Sequence, residues 1–408
     1  MCSIPVVSGL RVGAAVAAPA RACAKYKRAA VDRVEDYPAG RGKGWRYSAR
    51  QPLIKEVLAV NPILVELMRA SYCESLHRGA LAVLDADGGV VVAVGDIDRP
   101  VFPRSAVKVL QALPLVESDA AERLRLNDDE LALACASHNG EPDHVRTAAD
   151  MLAKAGVDAE VLECGVHWPL LETASRELAC GGQAPTVLSN NCSGKHAGFV
   201  CLACALMGWS DSGLNLRQYV KGYVAPEHPV MREVSAALQA ASDCDLSRAP
   251  QGTDGCSIPT FGIPLRHLAL AFARVGTGVG LRSGHARAAK RLRAAVARSP
   301  FMVAGTDRFD TRVMERLRER VFCKVGAEGM YCAALPERGL GVAIKIDDGS
   351  SARAAEVAMA AVIEAFIPLD DADATFMRDL SDLKLKNWNG IEVGALRATD
   401  ALRRALAA

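Results

Sequence analysis

Strand-like segments stand near both ends of the chain with a long helical stretch between them, and this order restricts the fold more than any other feature. Ala80-Leu81-Ala82-Val83-Leu84-Asp85 runs through the turn signal Asp87-Gly88-Gly89 into Val90-Val91-Val92-Ala93-Val94, an antiparallel hairpin by its turn chemistry. Met330-Tyr331-Cys332-Ala333-Ala334-Leu335, a Pro336–Gly339 turn and Gly341–Ile346 repeat the design, and Ile63–Leu67 is a further short apolar run. Helical patterns lie between, among them Asp128–Ala134, His144–Ala155, Val230–Ala241, Ile263–Arg274, Ala286–Ala297 and Arg312–Val321. Strands at both ends with helices between predict an α+β domain whose terminal strands share one antiparallel sheet packed with helices.

That domain is expected over residues 61–408. Residues 1–60 differ: the basic run Arg21, Lys25, Lys27, Arg28 precedes Tyr37-Pro38-Ala39-Gly40-Arg41-Gly42-Lys43-Gly44, with little periodicity, and they read as a disordered N-terminal extension. The balance of 49 basic and 47 acidic residues, a net charge of +2, gives no reason to expect a nucleic-acid partner. The most apolar stretch, Ala197–Trp209, falls short of the roughly 20 residues a bilayer crossing needs, so it reads as a buried helix and no membrane association is expected. Thirteen cysteines in so long a chain are far from the density of a disulfide scaffold, and an odd number cannot all pair internally. They point to a reducing, cytoplasmic setting and leave metal binding or thiol chemistry open.

Three clusters carry chemistry. In Phe102-Pro103-Arg104-Ser105-Ala106-Val107-Lys108 the proline suits the opening of a helix, and the i, i+3 spacing puts Ser105 and Lys108 on one face, where a neutral amine could activate the hydroxyl. Ser381-Asp382-Leu383-Lys384 has the same spacing inside a charged run, so the spacing alone decides nothing. The first copy gains weight from its company: Ser137-His138-Asn139-Gly140-Glu141 follows an apolar run, and Cys323-Lys324-Val325-Gly326 precedes a strand. Ser-x-x-Lys, Ser-x-Asn and Lys-x-Gly in that order are the elements of serine β-lactamases, penicillin-binding proteins and related glutaminases, although Val325 stands where β-lactamases carry a hydroxyl residue. The third cluster, Asn190-Asn191-Cys192-Ser193-Gly194-Lys195-His196, lies at a helix start that favours a thiolate, and Gly252-Thr253-Asp254-Gly255-Cys256 offers a second thiol. Cys192 activated by His196 is one reading; two thiolates with a nearby lysine or histidine holding zinc is another.

These motifs, with Cys164-Gly165-Val166-His167-Trp168-Pro169, Met302–Phe309 and Asn387–Gly394, resemble the Rhizobium etli type of L-asparaginase from about Asn61 to Arg397. The resemblance implies a fold related to serine β-lactamases and glutaminases, a homodimer, and hydrolysis of L-asparagine to aspartate and ammonia. It further implies two Ser-Lys pairs, Ser105 with Lys108 and Ser137 with Lys324, and zinc on Cys192, Lys195 and Cys256. Ser105 would form the acyl-enzyme, with substrate contacts expected at Arg104, His138, Asn139 and Asp254. Crowded amines are expected to lower one another's pKa. Another amide or β-lactam hydrolase using the same serines is the competing enzyme reading, and a zinc-thiol protein the competing non-enzyme.

Overall fold

The computed structural model describes residues 60–209 and 213–408. The expected extension therefore lies outside the described residues, apart from Val60. The eight strands of the main sheet are β1 (Ile63–Arg69), β2 (Tyr72–Asp85), β3 (Val90–Val94), β4 (Phe322–Val325), β5 (Met330–Leu335), β6 (Leu340–Ile346), β7 (Asp382–Lys386) and β8 (Glu392–Ala398). Their order is β7-β8-β1-β2-β6-β5-β4, with β3 also paired to β2, and every pairing is antiparallel. The expected union of the chain ends occurs where Gly79–Asp85 of β2 pairs with Leu340–Ile346 of β6. The fold is α+β.

β2 shows why one strand can serve two halves. Its first residues alternate in exposure beside β1, whereas Ala80–Leu84 is buried throughout and lies between β3 and β6. A continuous apolar run suits a strand covered on both faces, and an alternating one suits a strand with one wet face. Helix α1 (Leu265–Thr277) packs on β2, β5 and β6. A Cβ on Gly341 would sit 2.0 Å from the Ala269 carbonyl oxygen, so glycine is what lets β6 and α1 approach this closely.

The helical layer positions the polar clusters. Asp128–Ala134 is a helix capped by a reciprocal Asn127–Glu130 box, and the chain then leaves it through Cys135 toward Ser137. The apolar stretch forms α2, a helix over Ser193–Leu206 that begins four residues earlier than its uncharged run, because Ser193, Lys195 and His196 are buried with it. Ile263 belongs to a two-residue strand rather than to the helix that follows, and the helix expected over Arg312–Val321 ends at Leu317 in a 3-10 turn. No helix among the described residues is long and apolar enough to cross a membrane.

Candidate active site

Ser105 lies on a 3-10 turn over Arg104–Val107 that runs directly into the short helix Lys108–Gln111, which Lys108 opens. In a 3-10 turn residues three apart eclipse, which keeps both side chains on one side. The turn packs against β4 and β5, and Gly326 makes this possible, since a Cβ there would lie 2.7 Å from the Pro103 carbonyl oxygen. The Lys-x-Gly element thus brings Lys324 beneath the Ser105 turn.

The geometry redistributes the expected partners. Lys108 is buried, and its ammonium donates to Ser137 Oγ at 2.8 Å, to the Ala136 carbonyl at 2.5 Å and to Cys192 Sγ at 3.1 Å. Ser105 Oγ makes no hydrogen bond with another described residue; the residue is half-buried and lines a crevice with Arg104, Lys108, Lys195 and Asp254. In this conformation the crevice holds no more than about one water molecule. The Ala106 amide, a candidate for stabilising an oxyanion, donates to Pro103 O. Lys324 is wholly buried on β4 and donates to Val325 O at 3.0 Å, with Asp310 Oδ2 at 3.5 Å. Burial, aided by Lys108 and Arg308 and opposed by Asp310, lowers its pKa to about 8.

Two further groups close the crevice. Arg104 has φ of 52°, a left-handed backbone that costs a non-glycine residue about 1 kcal/mol. Its guanidinium is held by Asp254, Nε to Oδ2 at 2.8 Å. Burial works to raise the Asp254 carboxyl, but Arg104, Lys195 and Lys108 outweigh it and hold the pKa below the usual carboxylate range.

Cys192, Lys195 and Cys256 meet on the other side of Lys108. Lys195 Nζ donates to Cys256 Sγ at 2.9 Å; the neighbouring Cys256 thiol, with Lys108 and Lys195, depresses Cys192, whereas Cys192 and burial raise Cys256. Lys108 also donates to Cys192 Sγ. Burial would lower the Lys195 amine, but the two thiols outweigh it and raise its pKa, the reverse of what amine crowding alone predicts. Two buried sulfurs and an amine converging from separate turns form a donor set suited to a borderline-soft cation such as zinc. Among the described residues no group of three or more His, Cys, Asp and Glu side chains offers an alternative.

His138 and Asn139 sit behind this wall. Gly140 N–H donates to His138 Nδ1 at 3.1 Å, so Nε2 carries the proton and donates to Ser193 Oγ at 3.0 Å. Burial, with His144 and Lys108 adding to it, keeps the ring neutral. Asn139 Nδ2 donates to Glu141 and to Thr306 O, and its Oδ1 accepts from Arg308. His196 Nδ1 shares a hydrogen bond with the Tyr223 hydroxyl, while Cys192 bonds Lys108, so the structure does not pair that imidazole with that thiol. Ser381 of the second Ser-x-x-Lys bonds Glu364 at the end of a helix whereas Lys384 lies on β7, which explains why that spacing carries no site.

The L-asparaginase II family matches residues 65–398, most of the chain. The chain belongs to the L-asparaginase II family. It is an amidohydrolase acting on asparagine, and the resemblance drawn from the motifs and the family match agree. No curated protein matches the chain. Within this asparaginase, sequence reasoning missed Asp310 and Tyr331, whose hydroxyl donates to Asp310 Oδ1. Asp310 follows immediately after the Met302–Phe309 motif, and a carboxylate at the start of a helix is no signal without its partner across the hairpin.

Proposed function

We propose that this asparaginase hydrolyses L-asparagine to L-aspartate and ammonia through an acyl-enzyme on Ser105. The observation that supports this reading is the convergence of Ser105, Lys108, Lys195 and the Arg104–Asp254 pair on one crevice. Ser105 is the serine that faces the crevice, whereas Ser137 is nearly fully buried behind Lys108. Asp254 offers the substrate's α-ammonium an acceptor and Arg104 offers its α-carboxylate a planar fork. Attack of Ser105 Oγ on the side-chain amide carbon expels ammonia, and water then releases aspartate.

Lys108, Ser137 and Lys324 move the proton. At rest Lys108 Nζ is engaged with Ala136 O, Ser137 Oγ and Cys192 Sγ. Activating Ser105 requires Lys108 to pass a proton through Ser137 and then turn toward Ser105. Lys324, with a pKa near 8, is the amine placed to exchange that proton with the leaving group near neutral pH. Both amines act electrostatically on the Cys135 thiol and the His138 ring.

Cys192, Lys195 and Cys256 would hold zinc, which two thiolates and an amine make a weak Lewis acid better suited to orienting substrate than to activating water. Lys195 must give up its proton to ligate, so metal uptake weakens as pH falls. The same reading includes a homodimer in the cytoplasm. Ammonia release from asparagine and from glutamine, with and without a chelator, tests the proposal. No release from either amide, with nitrocefin hydrolysed instead, would replace it with a β-lactam hydrolase, and loss of bound zinc with neither activity would favour a zinc-thiol protein.

A further inference from the structure

Asp310 contributes a buried carboxylate that touches three residues of one hairpin. It stands in the first turn of helix α3 (Phe309–Leu317), with 1% exposure. Its Oδ2 accepts the Val325 amide at 3.2 Å and lies 3.5 Å from Lys324 Nζ, while Oδ1 accepts the Tyr331 hydroxyl. Val325 and Tyr331 are direct cross-strand partners, so the carboxylate grips β4 and β5 at the rung next to Lys324. Holding a charge pair in so enclosed a place is costly, and a well-packed apolar pair in place of both residues would serve the fold at least as well. What the carboxylate adds is a fixed place and a fixed charge for one amine.

We infer that Asp310 is a positioning residue for the hydrolytic reaction, anchoring Lys324 by ion pairing and, with the Tyr331 hydroxyl, setting the pH at which that amine exchanges its proton. This rests on the reading in which Lys324 handles a proton during amide hydrolysis. The other groups facing Lys324 are known. Lys108 and Arg308 repel its charge, and the Cys135 thiol, the His138 ring and the adjacent Cys323 thiol feel that charge in turn. Glu356 faces Asp310 from the helix Glu356–Phe366, with Arg308 and Arg312 beside it. Among these, Asp310 is the group that both favours the protonated amine and bonds the strand carrying it.

The two partners of the carboxylate give opposite predictions. Asp310→Asn keeps the shape and removes the charge, so the Lys324 amine loses its proton more readily and its titration midpoint falls by about one pH unit or more. Tyr331→Phe removes a donor that draws charge from the carboxylate, so the pull on Lys324 strengthens and the midpoint rises. Both are read by NMR titration of lysine labelled at Cε, with the Lys324 signal assigned by its loss in Lys324→Gln. The pH profile of kcat/KM for asparagine is measured alongside, and the limb governed by this amine is expected to move with the NMR midpoint. A midpoint unmoved in both variants overturns the proposal and leaves Asp310 a structural residue. If Asp310→Asn does not fold, Tyr331→Phe decides, since an unmoved or lowered midpoint contradicts the expected sign. NMR midpoints that shift as expected, with no limb of the profile following, retain the ion pair and overturn its role in the reaction. A wild type that releases no ammonia from asparagine refutes the hydrolytic reading instead, and the NMR arm still reports on Asp310 and Lys324.

Discussion

The Lys108 ammonium donates to Cys192 Sγ at 3.1 Å, so a single amine joins the serine cluster to the thiol pair. The two cysteines are therefore not equivalent. Cys192→Ser removes the sulfur that Lys108 contacts as well as a proposed metal donor, whereas Cys256→Ser removes a proposed donor whose amine partner is Lys195. Both variants are expected to raise KM for asparagine, and Cys192→Ser is expected to lower kcat by on the order of 10-fold more than Cys256→Ser. Steady-state kinetics with metal content measured on the same samples checks this, and equal kcat values in the two variants would show that the Lys108 contact has no consequence.

Ser105 and Ser137 differ in what faces them. Ser105→Ala is expected to reduce kcat by about 10³-fold or more, with unchanged circular dichroism, because among the described residues lining the crevice Thr260 carries the one other hydroxyl. Ser137→Ala breaks the 2.8 Å bond from Lys108 and is expected to cost about 10²-fold in kcat through proton transfer. Mass spectrometry of quenched turnovers should find the acyl adduct on Ser105; an adduct on Ser137 would reverse the assignment.

Asp254 holds Arg104 in its left-handed conformation, so its removal acts on the substrate and on the turn together. Asp254→Asn is expected to raise KM by about 10–100-fold with a smaller change in kcat, since the α-groups are bound alike in ground and transition states. A fall in kcat with KM preserved would indicate that the pair serves only to shape the Ser105 turn.

Glu356 makes stability depend on pH. Burial, with the Asp310 charge adding to it, raises its pKa from 4.5 to about 7. The folded state thus binds a proton more tightly than the unfolded chain, and the stability this confers is full below pH 4.5 and lost as pH rises through about 7. Glu356→Gln mimics the neutral acid, so it is expected to exceed the wild type by roughly 2–3 kcal/mol at pH 8 and by much less at pH 5. Urea unfolding at the two pH values measures the difference; a gap that does not widen with pH contradicts it.

Much of the architecture is legible in local patterns. The Asp87-Gly88-Gly89 turn and the Pro336–Gly339 turn each join the strands their chemistry predicts, because hairpin pairing is decided within a few residues. The uncharged run after Ala197 forms a buried helix for the same kind of reason. β7 and β8 were harder to see, since an exposed hairpin alternates weakly and Asn387–Gly390 looks like any polar turn. The chemical groups of the site were visible by type, but their partners were not. Spacing put Ser105 and Lys108 on one face, yet it could not show that the Lys108 amine reaches back to Ser137 and Cys192.

By itself, then, the sequence determined the element order, the antiparallel union of the chain ends, and the set of serines, lysines and thiols available for chemistry. Only the tertiary structure decided which of them share a hydrogen bond, which charge each feels, and that Asp310 and Tyr331 belong with Lys324. The physical reason is range. Turns, hairpins and helix faces are set by neighbours a few residues apart, whereas a buried amine's partners and pKa depend on groups brought within about 4 Å from anywhere in the chain.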